Sequence, residues 1–417
     1  MPTGNNPWIA PADRVVLRQL AARVRDIADR PEMEQLRELW RRHNALKGQR
    51  PMILCSPEGA WGELVRPEEL RCEGELAKAW ERSLRQQIFT AEVLRDDQPI
   101  EPHLDLSWDL SRGDLGVEIP YTRGENRGSY HWEPPIKDLE RDLGRLRFRQ
   151  LGVDRQLTQQ KLSLAGDVLG DLLPPRIHCQ PWWTLGLTWD AVLLVGLEQF
   201  MLYMVDQPEQ VHRLMAFLRD EAMHRIGWYE SEGLLSPTNG ANYVGSGGVG
   251  YTSELPGDRG VNRRPARLRE LWGFAESQET VGVSPTMFAE FILPYQMPLL
   301  EQFGLNCYGC CEPLHTRIDH VLKIPRLRRI SVSPWADQRI MAQKLGDRHI
   351  YSRKPKPTLV CAMFDEDLIR RDIRETLEAA RGCPIEFVMK DTHTVQNEPH
   401  RLARWVQIAR EEVERGA

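Results

Sequence analysis

The feature that most constrains this chain is an alternation of short apolar segments with longer amphipathic segments, which begins near residue 176. Short apolar runs bounded by glycine or proline are typical of buried strands, whereas apolar positions three or four apart indicate helices. Strands that alternate with helices form βαβ units with a parallel sheet. The predicted strands in this part are Arg176–Trp183, Glu270–Ala275, Phe303–Cys307, Leu327–Val332, His349–Ser352 and Ile385–Met389. Ser284–Phe303 is predicted to be a helix, with Ser284 as its N-cap and Pro285 in the first helical position.

The number of these units predicts an α/β fold, a single (β/α)8 TIM-type barrel. A further apolar run at Pro51–Cys55 predicts the first strand, and residues 12–48 have helical periodicity and many charges. The predicted organisation is therefore a helical N-terminal extension at residues 1–48, followed by a barrel at residues 49–417.

Composition excludes several classes of function. The chain has 417 residues and a formal net charge of -5, which gives no electrostatic basis for binding nucleic acid. No cationic, apolar leader is visible, and no run of about 18 apolar residues predicts a membrane span. We therefore expect a cytoplasmic protein whose eight cysteines are reduced.

A cluster of possible metal ligands directly follows the strand that ends near Cys307: Cys310, Cys311 and Glu312. Neighbouring residues of a strand face opposite sides, so both cysteines can turn inward only if the chain bends at Gly309. Thiolate and carboxylate groups are zinc ligands, and a catalytic zinc keeps one position open. The cluster predicts a zinc site, and the alternative is two buried cysteines beside an ordinary glutamate.

A second polar cluster, Asp391 and His393, follows the last predicted strand. Two residues apart at a strand end, they can share a face, so His393 can be a ligand or a general acid/base and Asp391 can orient it. The alternative is a network that caps the helix after Pro399.

Three further side chains at strand ends are predicted to bind substrate. Glu276 and Gln278 follow the Glu270–Ala275 strand and share a face, although they could equally lie in a solvated loop. Arg353 follows another strand and suits a substrate carboxylate. The run Gly245–Gly250 lacks the Lys-Ser/Thr of a phosphate-binding loop and is interpreted as an active-site loop.

Residues 150–415 resemble the uroporphyrinogen decarboxylase superfamily, and within it the corrinoid-dependent methyltransferases. The resemblance rests on the order of four segments: 203–218, Ser284–Tyr295, the strand into Cys310, and Val388–Asp391 before Asn397-Glu398-Pro399. It implies a (β/α)8 barrel with its active site at the carboxyl ends of the strands, and homodimers are implied by the decarboxylases.

The resemblance also implies a ligand set. Those methyltransferases have a His-x-Cys zinc motif and a distant cysteine; Tyr308 and Cys310 occupy the first two positions here, and the third falls near Asp391 or His393. Cys311, Glu312 and His393 could compensate. The arginine-rich loop of the decarboxylases is replaced by Cys55–Ala60, which has no arginine.

The expected function is a zinc-dependent methyltransferase. It would move a methyl group between a small substrate, a methoxylated compound or a thiol, and a corrinoid carrier protein. The alternative is a metal-free decarboxylase or lyase of a small carboxylate, with Asp391 and His393 in proton transfer and an arginine on the carboxylate. A non-enzymatic, corrinoid-docking barrel is a third reading.

Overall fold

Parallel strands and helices dominate the computed structural model, which describes residues 8–123, 130–257 and 264–416. The first seven residues of the predicted N-terminal extension lie outside the described residues. The strands are β1 Met52–Cys55, β2 Leu104–Leu106, β3 Asp109–Arg112, β4 Tyr121–Arg123, β5 Tyr130–Trp132, β6 Leu151–Asp154, β7 Pro175–Ile177, β8 Trp272–Ala275, β9 Leu305–Tyr308, β10 Leu327–Val332, β11 Ile350–Arg353 and β12 Ile385–Met389.

Helices follow most of the long strands and make up the N-terminal region. They are α1 Pro11–Ala28, α2 Pro31–Asn44, α3 Trp61–Leu64, α4 Glu75–Phe89, α5 Leu139–Asp142, α6 Arg155–Leu169, α7 Thr188–Val195, α8 Leu197–Asp206, α9 Pro208–Ser231, α10 Pro285–Phe291, α11 Leu293–Leu300, α12 Ile318–Val321, α13 Gln338–Leu345, α14 Thr358–Cys361, α15 Glu366–Ala379 and α16 His400–Gly416.

Six strands form one sheet in the order β1-β12-β11-β10-β9-β8, and every neighbouring pair is parallel. The predicted α/β class is confirmed. The first strand of the chain pairs with the last, as in a sheet that wraps around, while β2 and β7 form a separate parallel pair. Within residues 8–123, 130–257 and 264–416, no strand ladder joins the six-stranded sheet to the β2–β7 pair. The closed eight-stranded barrel therefore stays a prediction.

Two predicted elements differ from the structure for identifiable reasons. The strand expected at Arg176–Trp183 ends at Ile177, a few residues before Pro181, which has no N–H for a ladder. The helix expected to run from Ser284 to Phe303 breaks at Ile292, because Pro294 lies in the first turn of the next helix. The predicted cap is confirmed, since the Ser284 hydroxyl accepts a hydrogen bond from the backbone N–H of Met287 at 3.2 Å.

The N-terminal helices are tied to the sheet. The Asn44 amide, at the end of α2, donates to the carbonyls of Val249 and Tyr251 at 2.8 and 2.6 Å. Its side-chain oxygen accepts from Arg329 of β10 at 2.7 Å. These bonds join the extension to the glycine-rich loop and to the strands beneath it.

A buried ion pair joins β10 to β12 across β11. The carboxylate of Glu386 accepts hydrogen bonds from Arg329 at 2.8 and 3.1 Å, and His43 lies 3.2 Å away. Burial alone would raise the pKa of Glu386, but Arg329 and His43 outweigh burial and hold that pKa far below its ordinary range. Glu386 is therefore held as a buried anion by the positive charge of Arg329.

No single helix of the described residues is long and apolar enough to cross a membrane. Helices α7 and α8 reach that length and apolarity only when counted together, and they meet at a bend of 95°.

Replacing Glu386 with glutamine leaves the Arg329 charge buried without a counter-charge. We expect Glu386→Gln to lower the free energy of unfolding by about 3–5 kcal/mol, measured by denaturant titration. The control is Asp319→Asn at the exposed ion pair with Lys344, which should have little effect. Equal effects of the two variants would contradict a structural role for the buried pair.

Candidate active site

The candidate site lies where β9, β12 and β1 end. Parallel strands place their carboxyl ends at one edge of a sheet, which is where α/β proteins usually bind ligands. Cys310 and Cys311 follow β9, Lys390 and Asp391 follow β12, and Glu58 follows β1. Side chains from three separate parts of the sequence therefore meet at this edge.

Gly309 makes the bend that brings the two cysteines together. Its φ is +89°, and a Cβ atom there would come within 2.5 Å of the Leu314 side chain, so only glycine fits. Beyond the bend the Cys310 and Cys311 sulfur atoms are 3.6 Å apart. The bend at Gly309, which the sequence makes the condition for both side chains to share one side, is present in the structure.

The Cys310 sulfur has two further polar neighbours. The Lys390 ammonium lies 3.4 Å from it and the Ser246 hydroxyl lies 3.3 Å from it, and these two groups are themselves 3.2 Å apart. Ser246 belongs to the glycine-rich loop, which packs closely on the sheet: a Cβ atom on Gly247 would lie 2.6 Å from the Val388 side chain. An ammonium and a hydroxyl thus surround one sulfur.

These contacts set the charge of the thiol pair. The hydrogen bond from Cys311 is the largest influence on Cys310; Lys390 and Ser246 add to it, and together they outweigh burial and lower the Cys310 pKa. The Cys311 pKa is raised, because its proton bonds the Cys310 sulfur and because burial disfavours a second thiolate. Of the two thiols, Cys310 is therefore the one whose surroundings favour the thiolate.

Lys390 is held in its charged form. Burial would lower its pKa, but the negative charges of Cys310, Asp391 and Glu58 outweigh burial and raise the pKa above the ordinary value. The site therefore holds a thiolate and an ammonium in contact.

Glu312 has a different environment from the one predicted. Both oxygens of its buried carboxylate accept backbone hydrogen bonds, from Ser277 and from Cys310, each at 2.8 Å. Burial raises its pKa. The Glu312 carboxylate therefore stabilises the backbone turn at Cys310 and does not present free oxygens beside the two sulfurs.

The predicted zinc ligand set does not fit this arrangement. Two thiolates on one tetrahedral zinc, each about 2.3 Å from the metal, would lie about 3.8 Å apart, close to the distance observed. However, the Glu312 carboxylate is occupied, and the part of the chain that the structure describes has no group of three or more Cys, His, Asp or Glu side chains placed to hold a metal ion. Tyr308, at the position of the family histidine, is buried with its hydroxyl bonded to Gln296 at 2.8 Å.

Asp391 joins the site and His393 does not. The Asp391 carboxylate is 3.6 Å from the Cys311 sulfur, and its backbone N–H donates to Glu58 at 2.9 Å. Asp391 and Glu58 both have positive φ, +59° and +45°, a strained conformation common at functional sites. His393 is exposed beside Gly59 and does not line the cavity described below.

The predicted substrate residues do not line the cavity described below. The Arg353 guanidinium is buried and donates to the Ser333 carbonyl at 2.9 Å and to Asp372 at 3.0 Å, so it faces the helices behind the sheet. Its predicted contact with a substrate carboxylate is contradicted by this placement. Glu276 is also buried, accepting from Gln278 at 3.0 Å, and burial raises its pKa.

A cavity of about 390 Å³ opens above Lys390 and Ser246. Its walls combine aromatic and charged side chains: Trp182, Trp183, Tyr243, Glu58 and Arg112. Cys310 lies directly behind the two floor residues. Neither Glu276 nor Gln278 lines this cavity.

Lys390 directly precedes the predicted cluster of Asp391 and His393, but its position in the sequence assigned it no role, and Ser246 was not among the predicted site residues. The glycine-rich run was a usable signal for Ser246, because a polar residue among glycines in a predicted active-site loop can approach a strand end closely. Nothing in the sequence indicates that Arg112, on β3, reaches the same cavity.

Comparisons with known proteins identify the fold and no family. No protein-family model and no curated protein matches the chain. Twenty-two chains of solved structures match. One is a methyltransferase from Methanosarcina mazei, with a TM-score of 0.51 and 11% identity over 90% of this chain and 98% of that chain.

That likeness extends over nearly the whole of both chains and concerns the fold. The chain is an α/β protein that shares its overall architecture with a methyltransferase, and its candidate site is a thiolate–ammonium centre at the carboxyl ends of parallel strands. The particular superfamily expected from the sequence is not identified by this likeness.

Removing the Lys390 charge should change the Cys310 thiol measurably. In Lys390→Met we expect the Cys310 pKa to rise, because a thiolate without a neighbouring ammonium is less stable. The pH midpoint for alkylation of Cys310 by iodoacetamide, followed by mass spectrometry, should therefore move upward. Lys344→Met, at a distant surface ion pair, is the control; an unchanged midpoint in Lys390→Met would contradict the assigned contact.

Proposed function

We propose that this protein is a methyltransferase whose reacting centre is the Cys310–Cys311 thiol pair with Lys390. The observation that carries the proposal is the 3.4 Å contact between the Lys390 ammonium and the Cys310 sulfur behind a small-molecule cavity. The methyltransferase fold that the chain resembles supports this choice of chemistry.

The proposed reaction moves a methyl group between a small methoxylated compound or thiol and a corrinoid carrier protein. When a methoxylated compound is the donor, the bond between the methyl carbon and its oxygen breaks, the methyl carbon passes to the corrinoid carrier protein, and the electron pair stays on the oxygen. An ammonium beside this atom lowers the barrier by donating a hydrogen bond or a proton as negative charge develops. Lys390 is the cation at the cavity floor and is assigned this role.

The thiolate has two roles in the proposal. Cys310 keeps Lys390 protonated, and it presents a soft anion next to the place where the methyl group is exchanged. Cys311 keeps its own proton, and Asp391 faces Cys311 from the other side. The zinc ion expected from the resemblance remains a prediction, and no step of the proposal passes through it.

The cavity suits a small, partly aromatic substrate. Trp183 is half exposed and lines the wall together with Tyr243, while Arg112 adds a positive charge at the wall. An indole face binds flat or methylated groups by stacking and dispersion. We assign substrate binding to these residues in place of Glu276, Gln278 and Arg353.

The decarboxylase alternative has weaker support in the geometry. It requires Asp391 and His393 to act together and an arginine to hold a carboxylate. The described His393 is exposed and outside the cavity, and Arg353 is committed to Asp372.

The central test combines turnover with metal content. Methoxylated compounds and thiols are screened with a corrinoid protein, and the best substrate is used to compare wild type, Cys310→Ser and Cys383→Ser. We expect Cys310→Ser to lose about 100-fold or more in kcat, because a serine hydroxyl stays protonated at neutral pH. Cys383, away from the site and bonded to the Ala342 carbonyl, is the matched control.

Metal analysis of the same three preparations separates two mechanisms. About one zinc per chain, lost in Cys310→Ser, would establish a zinc thiolate centre. Turnover without bound metal would support the thiolate–ammonium centre described above. Full activity of Cys310→Ser would overturn the proposal, whether or not the protein binds zinc.

A change in the cavity wall should affect substrate binding more than turnover. We expect Trp183→Ala to raise KM about tenfold, equivalent to about 1.4 kcal/mol, with a small change in kcat, because the indole contributes contact area and no reacting group. Initial-rate kinetics over a range of substrate concentrations measure both constants. Trp8→Ala, at an exposed tryptophan before the first helix, controls for loss of an indole; equal KM values in the two variants would contradict the assignment of the cavity.

A further inference from the structure

Cys310 and Cys311 form an unusual pair among the eight cysteines. Their sulfur atoms are in direct contact at 3.6 Å, although the two residues are neighbours in the sequence. Cys55, Cys72, Cys179 and Cys307 are buried singly and behave as small apolar side chains. The arrangement of this one pair calls for a chemical explanation.

The backbone on both sides of Cys310 is fixed. Glu312 accepts the N–H of Cys310 at 2.8 Å, and the Ser331 hydroxyl donates to the Cys310 carbonyl at 2.8 Å. Gly309 makes the bend before the pair. The turn thus holds both sulfur atoms on one side, and a bond between them closes the distance from 3.6 Å to about 2.0 Å.

The surroundings of the pair favour oxidation by a small molecule. Cys310 is almost fully buried, but Lys390 and Ser246, which contact it, line the cavity. Cys311 is partly exposed. The pair therefore lies next to the cavity, with Lys390 and Ser246 between the cavity and Cys310, and a small oxidant such as hydrogen peroxide needs the least displacement of these side chains to reach it.

We propose that Cys310 and Cys311 are a reversible modification site, at which hydrogen peroxide converts the thiol pair into an intramolecular disulfide. The Cys310 sulfur attacks one oxygen of the peroxide, the O–O bond breaks, and water leaves after taking up a proton. The Cys310 sulfenic acid then reacts with the Cys311 sulfur, and a second water leaves. In total, two thiols and one peroxide give one disulfide and two waters.

A disulfide between neighbours in sequence is strained. Consecutive Cα atoms are about 3.8 Å apart, shorter than the usual span of about 4.4–6.8 Å across a disulfide. Strained disulfides are reduced easily, so a dithiol should restore the pair. Oxidation would remove the Cys310 thiolate from contact with Lys390 and so switch off the proposed reaction. The inference rests on the same cysteines as the proposed function, but its chemical test does not depend on any activity.

The test treats the full-length protein with a small excess of hydrogen peroxide, blocks remaining thiols by alkylation, and measures the peptide that contains both cysteines by mass spectrometry. We expect that peptide to lose two hydrogen atoms and to escape alkylation, and dithiothreitol to reverse both changes. In Cys311→Ser, Cys310 should instead proceed to the sulfinic acid, because no second thiol is available. Cys383→Ser should behave as wild type.

Two results would overturn the proposal. One is a Cys310 sulfinic acid beside an unmodified Cys311 in the wild-type protein. The other is oxidation of the pair no faster than that of Cys361 and Cys383, measured in the same digest. Either result stands whether or not the protein proves to be a methyltransferase, because the readout is the mass of a peptide.

Discussion

The meeting of side chains from strands that are not neighbours in the sheet is the constraint on which the rest of the structure depends. Adjacent strands lie about 4.8 Å apart, so the ends of β9 and β12, three spacings apart, would be separated by about 14 Å in a flat sheet. Their side chains nevertheless meet, with Lys390 and Cys310 in contact at 3.4 Å. The buried ion pair of Arg329 and Glu386 likewise joins β10 to β12 across β11. Both contacts connect strands that are not hydrogen-bonded to each other.

Buried charges occur in groups in which opposite charges compensate one another. Glu386 is balanced by Arg329, and at the strand ends the Lys390 ammonium is balanced by a thiolate and by two carboxylates. The first group is satisfied within the protein and serves stability. The second faces a cavity, so its charges remain available to a ligand. The difference between a structural and a reactive charge here is whether water and small molecules can reach it.

The sequence predicted the parallel strands and the cap at Ser284, because these depend on local patterns of apolar and capping residues. It was less reliable for the site, because a position at a strand end does not determine which way a side chain points. Arg353 turns toward α15, and Glu312 turns back onto the backbone. Ser246 lies in a loop more than 60 residues before Cys310 in the sequence, and only the folding of the chain brings the two side chains together.

The hydrogen bonds of Asn44 have a consequence for how the chain is divided. Its amide holds the carbonyls of Val249 and Tyr251, in and just beyond the loop that carries Ser246, and its oxygen holds Arg329. Through Asn44, helix α2 thus holds in place the loop that supplies Ser246 to the site. A boundary drawn at residue 49 on sequence grounds therefore separates Asn44 from the loop and the strand that it holds.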